Sequence, residues 1–206
     1  RIAQASSNGF IGIDLGLLFL TGLLTLIELL AIRSLTLCIQ DAKGNASAEQ
    51  YHESTERHIE EELERARRYE RPFSILFMDL DRLKNVNEAY GHLCGSKVLV
   101  EVAALVLKHL RRSDKIFRFG GDEFVVTLPE TDRRGALKVA NRLRDAVKEH
   151  RFLVSEGAVV QLTASFGIAT FPQDGMGTDQ LLRHADQAMY LIKSTSRHGV
   201  GVKDLP

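Results

Sequence analysis

Cysteine is almost absent from this chain. Cys38 and Cys94 are its only two, in unrelated contexts, which argues against a disulfide framework or a cysteine-built zinc site and fits a reducing compartment. A cytoplasmic setting follows as the expectation, alone or as the cytoplasmic part of a larger, membrane-associated signalling protein. An excess of one charge is also missing. Twenty-seven basic residues balance 27 acidic ones, so no overall field draws the chain to a nucleic-acid polymer, and any nucleotide must be held by a local site. A long hydrophobic run is lacking too. The most apolar stretch, 15–27, is broken by Gly16, Thr21, Gly22 and Thr25 and flanked by Asp14 and Glu28. It falls short of the roughly 20 apolar residues that span a bilayer. No basic leader or small-residue cleavage site precedes it. We expect a buried or dimer-packing helix there, with a membrane or partner-docking element as the alternative. Arg1 in place of an initiator Met leads us to expect that upstream sequence was removed.

What is present describes a globular protein of 206 residues, 44% hydrophobic and 26% charged. That length suits one domain with an appendage. We divide it into an N-terminal apolar segment and linker (1–50, with a loop over 41–50) and a main domain (51–206). The main domain alternates. A charge-rich helix is expected over 51–69, with an apolar stripe of Ile59, Leu63 and Ala66 and ion pairs such as Glu61–Arg65 and Glu64–Arg68. It would transmit a signal, pack a dimer or simply cover a sheet. Next come a strand near 73–80, helices near 83–90 and 96–111, a hairpin over 114–129, a helix over 131–149, a strand near 159–171, a helix near 178–195 and a short strand near 199–204. The apolar face of the 96–111 helix is Val98, Leu99, Val102, Leu105, Val106 and Leu110. The pattern is α/β (α+β), a sheet with helices packed on its faces.

Two acidic segments carry the chemistry. Lys115-Ile116-Phe117-Arg118-Phe119 leads into Gly120-Gly121-Asp122-Glu123, and Phe124-Val125-Val126-Thr127-Leu128 leads out. Paired glycines between two β-type runs predict a hairpin in which they supply the positive φ of a tight reversal. Asp122 and Glu123 then stand beside a turn without side-chain bulk, where backbone can approach a phosphate and carboxylates a metal. An ordinary surface hairpin is the plainer alternative. The strand Ser74-Ile75-Leu76-Phe77-Met78-Asp79-Leu80-Asp81 ends in alternating acids. Asp79 and Asp81 share a face, and buried carboxylates need a cation. Mg2+, or Mn2+, suits oxygen ligands that leave room for water and phosphate. If the two elements are neighbours, Asp79 and Asp122 can share an ion. Asp81 can instead cap the following helix.

These residues resemble the GGDEF domain, the nucleotidyltransferase module of diguanylate cyclases. The signature stands unaltered at 120–124. The first acidic segment matches as Met78-Asp79-Leu80-Asp81-Arg82-Leu83-Lys84, and the next block as Asn87-Glu88-Ala89-Tyr90-Gly91-His92-Leu93-Cys94-Gly95. Thr163-Ala164-Ser165-Phe166-Gly167-Ile168-Ala169 and Ala185-Asp186-Gln187-Ala188-Met189-Tyr190-Leu191-Ile192-Lys193 match downstream. Leu20-Thr21-Gly22-Leu23 is similar to the family's "LTGL" segment, with an insertion before Asp79. The resemblance implies a palm-like, mainly antiparallel sheet of the adenylyl-cyclase kind. It implies that two nucleoside triphosphates are joined into a cyclic dinucleotide, each 3′-hydroxyl attacking the other's α-phosphorus as pyrophosphate leaves. Asp79, the Leu80 carbonyl and Asp122 would hold metal, with Glu123 aiding deprotonation of the hydroxyl. Lys193 and Arg197, one helical turn apart, would contact phosphates, or act only as partners of the helix dipole. The backbone at Leu83-Lys84 and at Gly120-Gly121 would also meet the nucleotide. One triphosphate per subunit implies a homodimer.

Base selection departs from the family. The family reads guanine with an Asn, here Asn87, and an Asp whose place is taken by Ser96. A hydroxyl donates and accepts, so it can meet guanine or adenine. Ser96 is similar to the hybrid promiscuous (Hypr) branch, which uses ATP with GTP and makes 3′,3′-cyclic GMP-AMP. A GTP-only enzyme relying on Asn87 is the alternative. Arg111 and Asp114 match the family's RxxD inhibitory site for cyclic dinucleotide product; on residues alone they read equally as a helix end and its cap. An inactive cyclic-dinucleotide receptor using that site is the rival from another class.

Overall fold

A computed structural model describes residues 48–195 and 197–202. The expected helix at 15–27 and the Leu20-Thr21-Gly22-Leu23 match lie outside the described residues.

The elements run in the order α1 (Ala48–Tyr69), β1 (Phe73–Asp81), α2 (Leu83–Tyr90), α3 (His92–Lys108), β2 (Lys115–Arg118), β3 (Glu123–Pro129), α4 (Arg133–Glu149), a 3-10 turn (Val154–Glu156), β4 (Thr163–Phe171), α5 (Thr178–Thr195) and β5 (Val200–Val202). The five strands form one sheet in the order β2-β3-β1-β4-β5. It is antiparallel except for the β4–β5 pair. The sequence pattern implies the helix-covered sheet, and the resemblance its mainly antiparallel pairing.

β1 is central, and all nine of its residues are buried. Because successive side chains point to opposite faces, its apolar residues feed two cores. Leu76, Met78 and Leu80 pack with α2, α3 and α4 through Val86, Val98, Val102, Ala140 and Leu143. Phe73, Ile75 and Phe77 pack with Ile59 and Leu63 of α1 and Leu181, Ala185 and Met189 of α5. The stripe Ile59, Leu63 and Ala66 is buried as its spacing requires. The ion pairs on α1 differ from those expected: Arg65 pairs with Glu62 at 2.7 Å and Arg67 with Glu60 at 3.3 Å. Burial of Glu62 beside the sheet draws Arg65 toward it. Gly167 of β4 lets α5 pass close over the sheet, since a Cβ there would collide with the Ala185 carbonyl and the Met189 amide. That approach brings the C-terminal end of α5 over the end of β1.

Several boundaries shift. α3 begins at His92 instead of 96 and stops at Lys108, where residues 109–114 turn back. α1 starts at Ala48, inside the segment expected to be a loop, and β4 starts at Thr163 instead of 159. No helix among the described residues is long and apolar enough to cross a membrane.

Candidate active site

β1 ends beside the start of β3, with Asp79 opposite Glu123 in the register. The Leu80 amide donates to the Asp122 carbonyl at 3.1 Å. The two acidic segments are therefore tied backbone to backbone at one end of the sheet. Asp79 is 2% exposed. Its Oδ2 accepts from Lys193 Nζ of α5 at 2.6 Å, while its Oδ1 is buried and accepts no hydrogen bond. Burial raises its pKa to about 6, with the charges of Asp122 and Glu123 adding to the rise and Lys193 opposing it. Burial also raises Glu123, reinforced by Asp122 and Asp186. For Lys193, burial works against the charge, but the hydrogen bond to Asp79 and the fields of Asp79, Asp122 and Asp81 outweigh it and raise the pKa. A cluster of carboxylates that hold protons too tightly, with one oxygen left unpartnered, is a site short of positive charge.

Asp81 does not cap a helix. Its carboxylate accepts from Thr163 Oγ1 at 2.7 Å, Ser165 Oγ at 3.1 Å and the His198 amide at 3.3 Å. It faces the neighbouring strand β4, so the pleat aims it away from the helix start. Position 82 takes the N-cap of α2 in left-handed backbone (φ 65), with no side-chain cap. The first amides of α2, at Leu83 and Lys84, are left for another acceptor.

The glycine turn is built differently from expectation. Among the described residues positive-φ glycines are Gly91 and Gly157, and neither Gly120 nor Gly121 joins them. The loop is closed by side-chain and backbone bonds within the hairpin. Arg118 Nε donates to the Gly120 carbonyl at 3.1 Å and Nη2 to the Gly121 carbonyl at 2.8 Å, while the Phe119 and Gly120 amides donate to the Glu123 carbonyl at 2.9 and 3.3 Å. A Cβ at Gly120 would stand 2.5 Å from Glu123 Oε2, so a larger residue there would push that carboxylate aside. Gly121 faces open space. From α1, His52 stacks on Phe119 with ring centres 4.0 Å apart and planes at 11°, and Arg118 lies over the Tyr51 ring at 5.8 Å.

Next to the turn is a cleft of about 300 Å³ lined by Leu83, Lys84, Asn87, His92, Gly95, Ser96, Leu99, Arg118, Gly121 and Asp122. Asn87 of α2 and Ser96 of α3 thus line one hollow bounded by the glycine turn. Gly95 makes this possible, because any side chain there would occupy the place of the Asn87 amide. Lys193 stands over Asp79, but Arg197 does not share its helix face. α5 ends at Thr195, Arg197 has φ 52, its amide donates to the Ile192 carbonyl at 2.8 Å, and it is exposed.

Arg111 and Asp114 close a turn away from this cleft. The Arg111 amide donates to Asp114 Oδ2 at 2.9 Å, Ser113 Oγ to Oδ1 at 3.1 Å, and the Asp114 amide to the Arg111 carbonyl at 3.0 Å. Asp114 is buried and Arg111 exposed. Arg112 and Ser113 of the turn line a second hollow of about 370 Å³, with Arg65 and Lys115.

Sequence reasoning passed over Arg118, His92, Asp186 and the two α1 residues. The Arg118 guanidinium two residues before a glycine pair was the one available signal.

A five-stranded, mainly antiparallel sheet flanked by helices, with paired acids at a strand end and a cleft against a glycine turn, defines a domain of the palm type. The profile of the GGDEF family, described as "Diguanylate cyclase, GGDEF domain", matches residues 52–199, and the chain belongs to that family. It is 39% identical over 141 residues to MucR of Pseudomonas aeruginosa, a bifunctional diguanylate cyclase/cyclic di-GMP phosphodiesterase, covering 68% of this chain and 20% of that protein. It is 33% identical over 139 residues to diguanylate cyclase DosC of Escherichia coli (strain K12), covering 68% and 30%. The crystal structure of the GGDEF domain of YfiN (TpbB) from Pseudomonas aeruginosa is similar with TM-score 0.69 and 33% identity, over 74% of this chain and 94% of that one. The chain spans less than a third of the length of these two curated relatives.

Proposed function

We propose that this protein is a diguanylate cyclase, a nucleotidyltransferase that condenses two GTP molecules into cyclic di-GMP with release of two pyrophosphates. The observation that carries the reading is the joining of the Asp79–Asp122 acid pair to the Asn87–Ser96 cleft across the glycine turn. The base enters the cleft, where the Asn87 amide offers both a donor and an acceptor. The uncapped start of α2 and the open side of Gly121 receive phosphate oxygens through backbone amides. Lys193 turns its ammonium from Asp79 to the phosphates. Glu123, whose proton affinity is already raised, takes the proton of the attacking 3′-hydroxyl. Arg197, exposed beyond the helix, adds a second cation from outside.

The donor set fits Mg2+ or Mn2+. Asp79 Oδ1 is buried and unpartnered, and Asp122 is close enough for its charge to act on Asp79. That suits an ion held by one or two carboxylates and completed by water and phosphate. Asp79, Asp122 and the Leu80 carbonyl would hold it. When bound, it supplies charge neutralisation of the phosphates and a lower pKa for the hydroxyl.

Each domain offers one such cleft, so the product requires two copies face to face, and a homodimer belongs to the proposal. So does the division into a catalytic domain (51–206) behind a preceding segment (1–50), in a cytoplasmic setting. A second reading rests on Ser96 lining the cleft: ATP is accepted beside GTP, giving 3′,3′-cyclic GMP-AMP as a further product. Feedback by bound product is assigned to the Arg111–Asp114 turn. Each Asp114 oxygen keeps a lone pair after its bond within the turn, and the Arg111 side chain is exposed there.

Chromatography of the products formed from GTP, and from GTP with ATP, in Mg2+ decides among these. Cyclic di-GMP with two pyrophosphates supports the main reading, and mixed product supports the second. Binding of cyclic di-GMP without any pyrophosphate release would replace both with a receptor.

A further inference from the structure

We infer that His52 and Tyr51, on the first turn of α1, are positioning residues for the GGDEF hairpin, acting through Phe119 and Arg118. The inference rests on the proposed cyclase activity only for its kinetic arm. The hairpin has no positive-φ glycine to fix its shape, and Gly120 and Gly121 carry no side chains to pack. Its course is set by the Phe119 and Gly120 amides on the Glu123 carbonyl and by the Arg118 guanidinium on the carbonyls of both glycines. Arg118 in turn lies over the ring of Tyr51, which is 8% exposed. Next to it, Phe119 is held between two partners. His52 stacks on one face at 4.0 Å, and Phe77 of β1 meets it edge-on at 5.1 Å. Two consecutive residues at the mouth of the turn, Arg118 and Phe119, are thus each held by a residue of α1. A shift of α1 along its axis moves the donors that hold the glycine carbonyls, and so moves Gly121 and Asp122 at the cleft wall.

The test uses the full 206-residue chain with His52→Ala, His52→Phe and, as an independent variant, Tyr51→Leu. Amide hydrogen exchange at Phe119 and Gly120 reads the hairpin without nucleotide, and pyrophosphate release from Mg2+ and GTP reads catalysis. A misplacement of about 1 Å can cost on the order of a hundredfold. We therefore expect His52→Ala and Tyr51→Leu to lower kcat by at least about tenfold with KM within about twofold, and to speed exchange of both amides by a similar factor. His52→Phe, which keeps the stacked ring, restores both. Unchanged exchange in His52→Ala and Tyr51→Leu overturns the inference, as does failure of His52→Phe to rescue. Should the unaltered chain release no pyrophosphate, the proposed activity falls while the exchange measurements still decide this point.

Discussion

Lys193 Nζ lies 2.6 Å from Asp79 Oδ2, so an α5 ammonium occupies one oxygen of a carboxylate buried at the end of β1 and leaves the other unpartnered. The same ammonium cannot serve Asp79 and a nucleotide phosphate at full strength, so metal and Lys193 compete for one acid. Replacing it with the apolar Lys193→Met should have opposite effects on the two ligands. Mn2+ binding without nucleotide, followed by electron paramagnetic resonance, should tighten. The KM for GTP should rise by about tenfold or more, in line with the loss of a charged hydrogen bond. Weaker binding of both would mean that Lys193 only supports the fold.

Ser96 shares the cleft with Asn87. Ser96→Asp restores an acceptor for guanine N1–H and N2–H₂ and repels the unprotonated N1 of adenine. Preference for GTP over ATP should grow by roughly 5- to 100-fold, the value of one good bidentate pair, with cyclic di-GMP as sole product. An unaltered product ratio from mixed nucleotides would remove Ser96 from base selection.

Gly95 sits inside α3, where alanine is intrinsically better by about 1 kcal/mol. The added methyl would displace the Asn87 amide, a flexible group that can rotate away. Gly95→Ala should therefore keep or raise the melting temperature while raising the KM for GTP by about tenfold, the loss of about one base-reading hydrogen bond. A destabilised variant with unchanged KM would show that the amide does not read the base.

His58 is 8% exposed, its Nε2 has no hydrogen-bond partner, and burial, helped by Lys115, lowers its pKa from 6.5 to about 4. The unfolded chain takes up a proton as pH falls through 6.5 and the folded one does so only near 4. Stability is therefore complete above 6.5 and declines between 6.5 and 4, by roughly 3 kcal/mol at most. Urea titrations at pH 7 and pH 5 should show this loss in the unaltered chain and a smaller one in His58→Leu. Equal losses would place the acid sensitivity elsewhere.

Much of the site was legible because its chemistry is local. Alternating acids at the end of an apolar strand, and a glycine pair followed by Asp122 and Glu123, mark their elements without outside help. The two-faced burial of β1 follows from its near-continuous apolar run. What escaped depends on contacts between distant parts. The helix is expected to begin at 96, yet Gly95 lies inside α3, where its missing Cβ makes room for Asn87. Lys193 and Arg197 sit at helical spacing, but left-handed backbone at Arg197 and His198 ends the helix between them. The glycine pair suggests a turn shaped by positive φ, whereas the Arg118 side chain and two amides close it and an α1 ring braces the neighbouring Phe119. No periodicity in residues 51–52 signals that contact.

Diffraction from crystals grown with Mn2+ and a non-hydrolysable GTP analogue, recorded at the manganese edge, tests the account most directly. The expected result is an anomalous peak between Asp79 Oδ1 and the Asp122 carboxylate, with the guanine between Asn87 and Ser96. A peak remote from both acids, or a base outside that cleft, would contradict it.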